Sequence, residues 1–337
     1  MSHPKNILII GGVAGGMSCA TRLRRLGGTA KITVIERGPY VSYANCGISY
    51  ALGGVIENEA KLHVQTVDKM KSCEQAGKPL SAIALKTESK IPYDKLVLTM
   101  GAEAFLPPIE GIHSEHVFTL QTIPDLQKIQ AMIDKTQIRR AAVIGGGFIG
   151  IEAAENLRRL GLDVTILEYD QHVFPLVDGD IAQVVDDELR KNGVHLMLSA
   201  RVSKITSATD SQPAEVIAEG ADPVPADLVI VGVGVRARTA IAKDSGMAVG
   251  RTGVTVNESM QTSDPDIYAV GDMVETPPSH CGWKGHATSP RRTCQPPRTF
   301  HLGRLEGLRQ FSSQSLGAIA EAIVRYNRTK LARLSSS

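Results

Sequence analysis

Apolar residues in this chain gather in short unbroken runs instead of alternating with polar ones. Ile7-Leu8-Ile9-Ile10, Ile32-Thr33-Val34-Ile35, Leu96-Val97-Leu98, Ala141-Ala142-Val143-Ile144, Val164-Thr165-Ile166-Leu167 and the stretch from Asp227 to Val233 are all of this kind. Strands covered by helices on both faces read this way, as in a parallel sheet. Between the runs stand segments with helical spacing: Met17 to Leu26, closed by Gly27-Gly28, and Gly150 to Leu160, closed by Gly161. Glycine just past the last periodic residue is a helix stop. The order strand–helix–strand therefore occurs over 5–37 and again over roughly 139–170. Tyr40 to Gly54 reads as a loop leading into a helix, and Asp264 to Asp272 as a last short strand closing on Gly-Asp. Pro107-Pro108 marks a crossover between domains.

Each strand–helix junction is a glycine turn: Gly11-Gly12-Val13-Ala14-Gly15-Gly16 in the first unit and Gly145-Gly146-Gly147-Phe148-Ile149-Gly150 in the second. The second strand of each unit ends in an acid, Glu36 or Glu168. Such a turn lets backbone N–H groups reach a pyrophosphate at a helix N-terminus, and the acid accepts hydrogen bonds from an adenosine ribose. One copy is weak evidence. Two copies, each with its acid at the right distance, predict two Rossmann-like α/β domains holding two dinucleotides, with electrons passing between them.

Composition narrows the classes. With 337 residues there is room for two domains, and a net charge of +2 favours neither nucleic acid nor an anionic membrane. Five cysteines (Cys19, Cys46, Cys73, Cys281, Cys294) include no CxxC pair, so neither a disulfide framework nor a metal site is expected. The apolar runs are too short to span a bilayer, and the first strand begins too early for a leader peptide. A soluble cytoplasmic protein is the expectation. Cys46 is the one thiol in a suggestive setting, in Ser42-Tyr43-Ala44-Asn45-Cys46-Gly47 at a loop-to-helix junction that favours thiolate. Its bland alternative is a buried small hydrophobe. Cys19 and Cys73 have no such setting and are expected to be inert. Ala51 stands where a CxxxxC pair would have its second thiol, so Cys46 must work alone.

These motifs, with Glu36-Arg37-Gly38, Thr99-Met100-Gly101-Ala102, Ile151-Glu152 and the stretch from Met260 to Asp272, resemble the pyridine nucleotide–disulfide oxidoreductases, single-cysteine branch. That branch contains coenzyme A-disulfide reductases, NADH oxidases and persulfide reductases. The resemblance covers residues 5–276 and implies FAD on the first unit, through Gly11, Gly12, Gly16, Glu36, Arg37, Gly271 and Asp272. It implies a nicotinamide cofactor on the second, through Gly145, Gly147, Gly150, Glu152 and Glu168. Glu168, with no arginine beside it, argues for NADH over NADPH. Hydride would pass from nicotinamide to flavin and then to the sulfur of Cys46, reducing a small thiol or disulfide substrate of the coenzyme A type. Ser18, Arg22, Arg25, Ser42 and Asn45 match positions around that substrate. The two arginines suit a phosphate-bearing ligand, although without the resemblance a solvated helix face is the better reading of them.

The domains implied are 1–115 and 239–276 for FAD, 116–238 for NAD(P), and a tail from 277 to 337. Three departures from the family pattern stand out. Ile48-Ser49 replaces the usual Leu-Pro, which predicts a looser loop; residues 71–90 read as shortened or altered; and after Thr276 the family's flavin-packing segment and C-terminal dimerisation domain are absent, which predicts a monomer or a poorly defined oligomer. Codons permitted by Gly282 to Thr299, read one nucleotide forward, can spell the missing family segment, LPLAGPANRQGR included. The tail therefore reads as frame-shifted, with one basic amphipathic helix over 316–334 and no function for Cys281, Trp283 or Cys294. The alternative functions are a catalytically impaired nucleotide-binding remnant of such an enzyme, or an NADH oxidase or persulfide reductase.

Overall fold

The apolar runs become the strands of two parallel sheets in the computed structural model, which describes residues 5–26, 29–66, 80–83, 90–135, 138–175, 177–208 and 214–275. The expectations for Gly27-Gly28, for Cys73 and most of 71–90, and for everything after residue 276 fall outside the described residues. The described residues divide into two compact units, one formed by those within 5–45, 60–103 and 235–275, the other by those within 46–59 and 104–234. The segment that starts at Cys46 thus groups with the second unit.

The first unit contains β1 (Asn6–Ile10), α1 (Ala14–Arg25), β2 (Lys31–Ile35), β3 (Leu80–Ile83) and β4 (Lys95–Leu98). Its sheet runs in the spatial order Ile267–Ala269, β4, β1, β2, β3, every pair parallel. The last strand, Ile267–Ala269, lies inside the stretch read as a strand from sequence. β3 lies within the segment that reads as altered, and it still pairs with β2. Alternation along β1 sends Ile7 and Ile9 to one face, with Met17 and Ala20 of α1. Leu8 goes to the other face, among Leu96, Leu98, Ala242 and Met273. Both faces are covered, which is why the strands read as continuous apolar runs. Burying one such Ile or Leu contributes about 1.5–3 kcal/mol. α1 begins three residues before Met17, inside the glycine turn itself, because the turn is the helix start and the first long apolar side chain comes later.

The second unit contains α2 (Ile48–Leu52), β5 (Val117–Phe118), α3 (Ile123–Lys135), β6 (Arg140–Ile144), α4 (Phe148–Arg159), β7 (Asp163–Leu167), α5 (Gly179–Lys191), β8 (Val194–Met197) and β9 (Leu228–Val231). The sheet order is β5, β9, β6, β7, β8, again all parallel. A three-stranded antiparallel sheet, Val202–Ile205, Glu215–Ala218 and Val224–Pro225, adds Ile205, Val216 and Ala218 to a core shared with Ala142, Ile144, Val229 and Val231. Gly161 takes φ +83° and closes α4, donating its N–H to the Arg158 carbonyl at 2.9 Å. Both sheets have the doubly wound form in which strand order reverses beside the strand that leads into the glycine turn, β1 or β6, so each turn lies at a switch point.

Each sheet also begins with the same clasp. Asp94, just before β4, accepts the N–H groups of Lys5 and Asn6, each at 2.7 Å. Asp227, just before β9, accepts those of Arg139 and Arg140, each at 3.0 Å, and pairs with the Arg140 guanidinium at 2.9 Å. Among the described residues no helix is long and apolar enough to cross a membrane.

Candidate functional site

In the first turn Gly11 holds φ +106° and donates its N–H to the Ile35 carbonyl at 2.8 Å. A Cβ at Gly16 would overlap the Gly11 carbonyl oxygen, so only glycine lets α1 start this close to the strand. Thr99, at the end of β4, donates its hydroxyl to the carbonyls of Ile10 (2.9 Å) and Gly11 (2.8 Å). Glu36 accepts the Gly12 N–H on one carboxylate oxygen (2.6 Å) and the Gly38 N–H on the other (2.7 Å). One bond per oxygen leaves about half of its acceptor capacity, enough for the two hydroxyls of a ribose. Gly15 lies beside Thr99 and Val270, which places Gly271 and Asp272 at the same end of the sheet. Arg37 and Asp272 are exposed. An adenosine diphosphate moiety therefore fits the residues present.

The second turn repeats this plan. Gly145 holds φ +101° and bonds the Leu167 carbonyl at 2.8 Å, and a Cβ at Gly150 would overlap the Gly145 carbonyl oxygen. Glu168, 7% exposed, accepts the Gly146 N–H at 2.5 Å and the Asp170 N–H at 2.9 Å on separate oxygens. A Cβ at Gly147 would meet nothing within 4 Å, so the helix N-terminus is open to a ligand there. Past Glu168 the chain folds over the turn: Phe174 donates its N–H to the Gly146 carbonyl at 2.7 Å. Its ring meets that of Phe148 edge-on at 4.5 Å, and Phe148 stays 58% exposed. Buried Asp186 on α5 pins the same loop, accepting the Val173 N–H at 3.0 Å and facing His172 Nδ1 at 2.7 Å. Sequence reasoning missed this loop, because no residue type in it signals that it covers the turn.

Cys46 is exposed, in the 3-10 turn Asn45–Gly47 that leads into α2, so the buried-hydrophobe alternative is overturned. Cys19 is half-buried, and burial pushes its thiol above the usual range, which disfavours the nucleophilic thiolate. Ser18, Arg22 and Arg25 lie exposed along α1 at spacings of four and three, hence on one helix face. Asn45 is exposed and Ser42 is buried. Ser42 takes φ +50°, donates its N–H to the Gly12 carbonyl at 2.8 Å and accepts the Val64 N–H at 2.7 Å. Its backbone thus supports the first turn.

The Leu-Pro to Ile48-Ser49 exchange does not leave a loose loop. Both residues are buried in α2, and the Ser49 hydroxyl donates to Glu152 at 2.9 Å. Burial pushes the Glu152 carboxyl above the ordinary range, with the Ser49 hydrogen bond working against the rise. The described residues contain no group of three or more His, Cys, Asp or Glu able to hold a metal ion.

A family model described as pyridine nucleotide-disulphide oxidoreductase matches residues 5–289. An NADH oxidase of Methanocaldococcus jannaschii is 34% identical over 284 residues, covering 80% of this chain and 63% of that protein. A coenzyme A disulfide reductase of Staphylococcus haemolyticus is 32% identical, covering 82% of this chain and 64% of that protein. Among solved structures, a NAD-dependent persulfide reductase from A. fulgidus superposes with a TM-score of 0.75 at 36% identity, over 80% of this chain and 53% of that one. A reduced CoADR-RHD from Bacillus anthracis gives 0.73 at 37%, over 81% and 52%. The chain thus spans just under two thirds of the length of the curated relatives it matches.

Proposed function

This chain belongs to the pyridine nucleotide-disulphide oxidoreductase family, and on that premise we propose that it is an FAD- and NADH-dependent reductase of small thiol-derived substrates, with Cys46 as its redox centre. The observation that carries the reading is the paired turn: two glycine cradles, each closed by a carboxylate that keeps acceptor capacity for a ribose.

In this reading Gly11, Gly12, Gly16 and Glu36 bind the adenosine diphosphate half of FAD, with Arg37, Gly271 and Asp272 beside it. Gly145, Gly147, Gly150 and Glu168 bind NADH, with Glu152 one helical turn further along α4 supporting the site. Bound flavin would supply two-electron transfer between nicotinamide and sulfur. Cys46 as thiolate attacks one sulfur of a disulfide, RSSR, forming a mixed disulfide and releasing RS⁻. Two electrons from NADH then cleave the mixed disulfide, so that NADH, one proton and RSSR give NAD⁺ and two RSH. Ser18, Arg22 and Arg25 form a polar, cationic face suited to the phosphates of coenzyme A, with Ser42 and Asn45 as the remaining substrate positions. Coenzyme A disulfide is the substrate we favour, because those two arginines match a phosphate-bearing thiol.

The test is the absorbance spectrum of the purified chain. A stoichiometric flavin band bleached by NADH is expected. Cys46→Ser should keep the bleaching and lose reduction of coenzyme A disulfide. A colourless protein, or undiminished disulfide reduction by Cys46→Ser, overturns the reading.

A further inference from the structure

In the second unit α2 and α4 meet through buried polar groups as well as apolar ones. Ser49 donates its hydroxyl to Glu152 Oε2 at 2.9 Å, and the Tyr50 side chain also hydrogen-bonds this carboxyl. Both α2 residues are buried. One turn further along α4, Asn156 is 0% exposed. Its Nδ2 donates to the Glu152 carbonyl at 2.8 Å, while its Oδ1 is buried without a hydrogen-bond partner. Gly53, at the C-terminus of α2, lies against that oxygen, and a Cβ there would overlap it. α2 is therefore located on α4 at two points, one polar and one steric.

A carboxyl buried in such a seam costs stability that an amide of the same shape would not. Groups kept at that cost serve a site more often than a fold. This one stands between two such features: Cys46 lies two residues before α2, and α4 starts at the second glycine turn.

We propose that Glu152 is a positioning residue which, through the Ser49 and Tyr50 hydroxyls, fixes α2 and with it Cys46 against the helix of the second glycine turn. The proposal rests on the reading above for what Cys46 does, and on the α2–α4 seam for its geometry.

The proton balance of the seam gives it a signature. Burial raises the affinity of Glu152 for a proton, the Ser49 bond lowers it, Glu155 on the same helix raises it and Tyr50 lowers it. Glu155 is itself engaged by Arg159 at 3.5 Å. From β6 to β9, which also pack against α4, no titratable side chain acts on Glu152 among the described residues. Because the closed seam holds the proton more tightly than an opened one, closure is fully favoured below the ordinary carboxylate pKa. It weakens as pH rises through the raised value.

Hydrogen exchange of the α2 amides in the full chain, corrected for intrinsic rate, measures closure directly. Reaction of Cys46 with 4,4′-dithiodipyridine measures its consequence for the thiol. Wild-type protection should fall severalfold as pH rises above the ordinary carboxylate range and through the raised value. Glu152→Gln should be flat over the same rise, and Glu152→Ala should lose about tenfold protection at its acid end, the worth of one strong hydrogen bond. Ser49→Ala removes a bond that favours the charged form, so its fall should come at higher pH, and Ser49→Thr should restore the wild-type curve. Cys46 labelling should follow the same curves. An unchanged pH dependence in Glu152→Gln, or no displacement in Ser49→Ala, overturns the proposal. Neither measurement needs a bound cofactor. A colourless protein therefore sinks the reductase reading alone, and an active flavoprotein with a pH-flat α2 sinks the positioning role alone.

Discussion

The two glycine turns share a plan down to single backbone bonds and differ in what finishes them. Six residues past each acid stands a left-handed residue other than glycine, Ser42 at φ +50° or Phe174 at +58°. Each returns its N–H to the carbonyl of the second glycine, at 2.8 and 2.7 Å. A valine precedes each, Val41 or Val173, packed against that same glycine. The repeat therefore extends beyond the strand–turn–helix–strand–acid pattern, through a loop whose sequences, Val-Ser and Val-Phe, look unrelated. The difference lies in the side chains laid over a common backbone. The first turn is propped by a hydroxyl, Thr99, where the second has Gly232. The second turn carries an exposed aromatic pair where the first has a buried serine. One scaffold underlies both glycine turns, and what lies over them differs. Ser42 acquires a structural explanation from this pairing, since Phe174 performs the same backbone duty.

The largest effect should separate the cradles. Gly16→Ala and Gly150→Ala each place a methyl group on a backbone carbonyl oxygen that cannot move without unmaking the turn. A cost of about 3 kcal/mol is expected for each, at the upper end for overpacked sites. Gly16→Ala should lose flavin while NADH still binds, and Gly150→Ala the reverse, read by the flavin spectrum and by NADH titration. If either variant loses both ligands equally, the two cradles do not act separately.

Much of this was legible in the sequence, for a physical reason. Strands buried on both faces must be continuous apolar runs, and a helix that starts against a strand must carry glycine at Gly16 or Gly150; composition alone exposes both. The acids Glu36 and Glu168 were legible by their distance from the turns. The loop from Tyr169 to Pro175 was not, because backbone bonds hold it over the turn, and any residue can make those. The Ser49–Glu152 bond was invisible as well. Its partners are 103 positions apart, and the exchange at Ser49 read as a loosening when the hydroxyl in fact ties α2 down. Helix starts were placed too late in both units, because the glycine turn reads as loop up to its last glycine, whereas α1 opens at Ala14 and α4 at Phe148, inside the turn.

A middling effect should come from the two clasps. Burial works against the Asp227 carboxylate, but Arg140 and two backbone N–H groups hold it below the ordinary range. The backbone N–H groups of Asn6 and Lys5 do the same for exposed Asp94, without an arginine. Both pKa values are depressed by folding, so both contributions are present above the ordinary carboxylate pKa and are lost as pH falls through the folded value. Asp227→Asn should cost about 2 kcal/mol at neutral pH, the range for hydrogen bonds to a charged group. Asp94→Asn should cost less. The gap between wild type and either variant should close as pH falls below the ordinary carboxylate range and through the depressed values. Urea unfolding at neutral and acid pH checks this, with hydrogen exchange at the Asn6 and Arg140 amides assigning the loss to its own sheet. Equal costs for the two variants would show that the guanidinium adds nothing.

The smallest effect tests whether the prop matters. Thr99→Ala removes hydroxyl bonds to the carbonyls of Ile10 and Gly11. The Ile10 carbonyl keeps the Thr99 N–H, at 2.8 Å. Only one acceptor is thus left short, and a loss of about 1 kcal/mol is expected. Thr99→Ser should recover it, since the hydroxyl and not the methyl makes the bonds. In the second turn the matching change is Gly232→Ala, whose Cβ would stand 3.2 Å from the Gly150 nitrogen and 3.3 Å from its Cα. The helix must then give by a few tenths of an ångström, so NADH affinity should fall more than thermal stability does. Thr99→Ala should instead weaken flavin retention and leave NADH affinity intact. A Thr99→Ala variant that weakens NADH alone would mean that the cradles have been assigned to the wrong nucleotides.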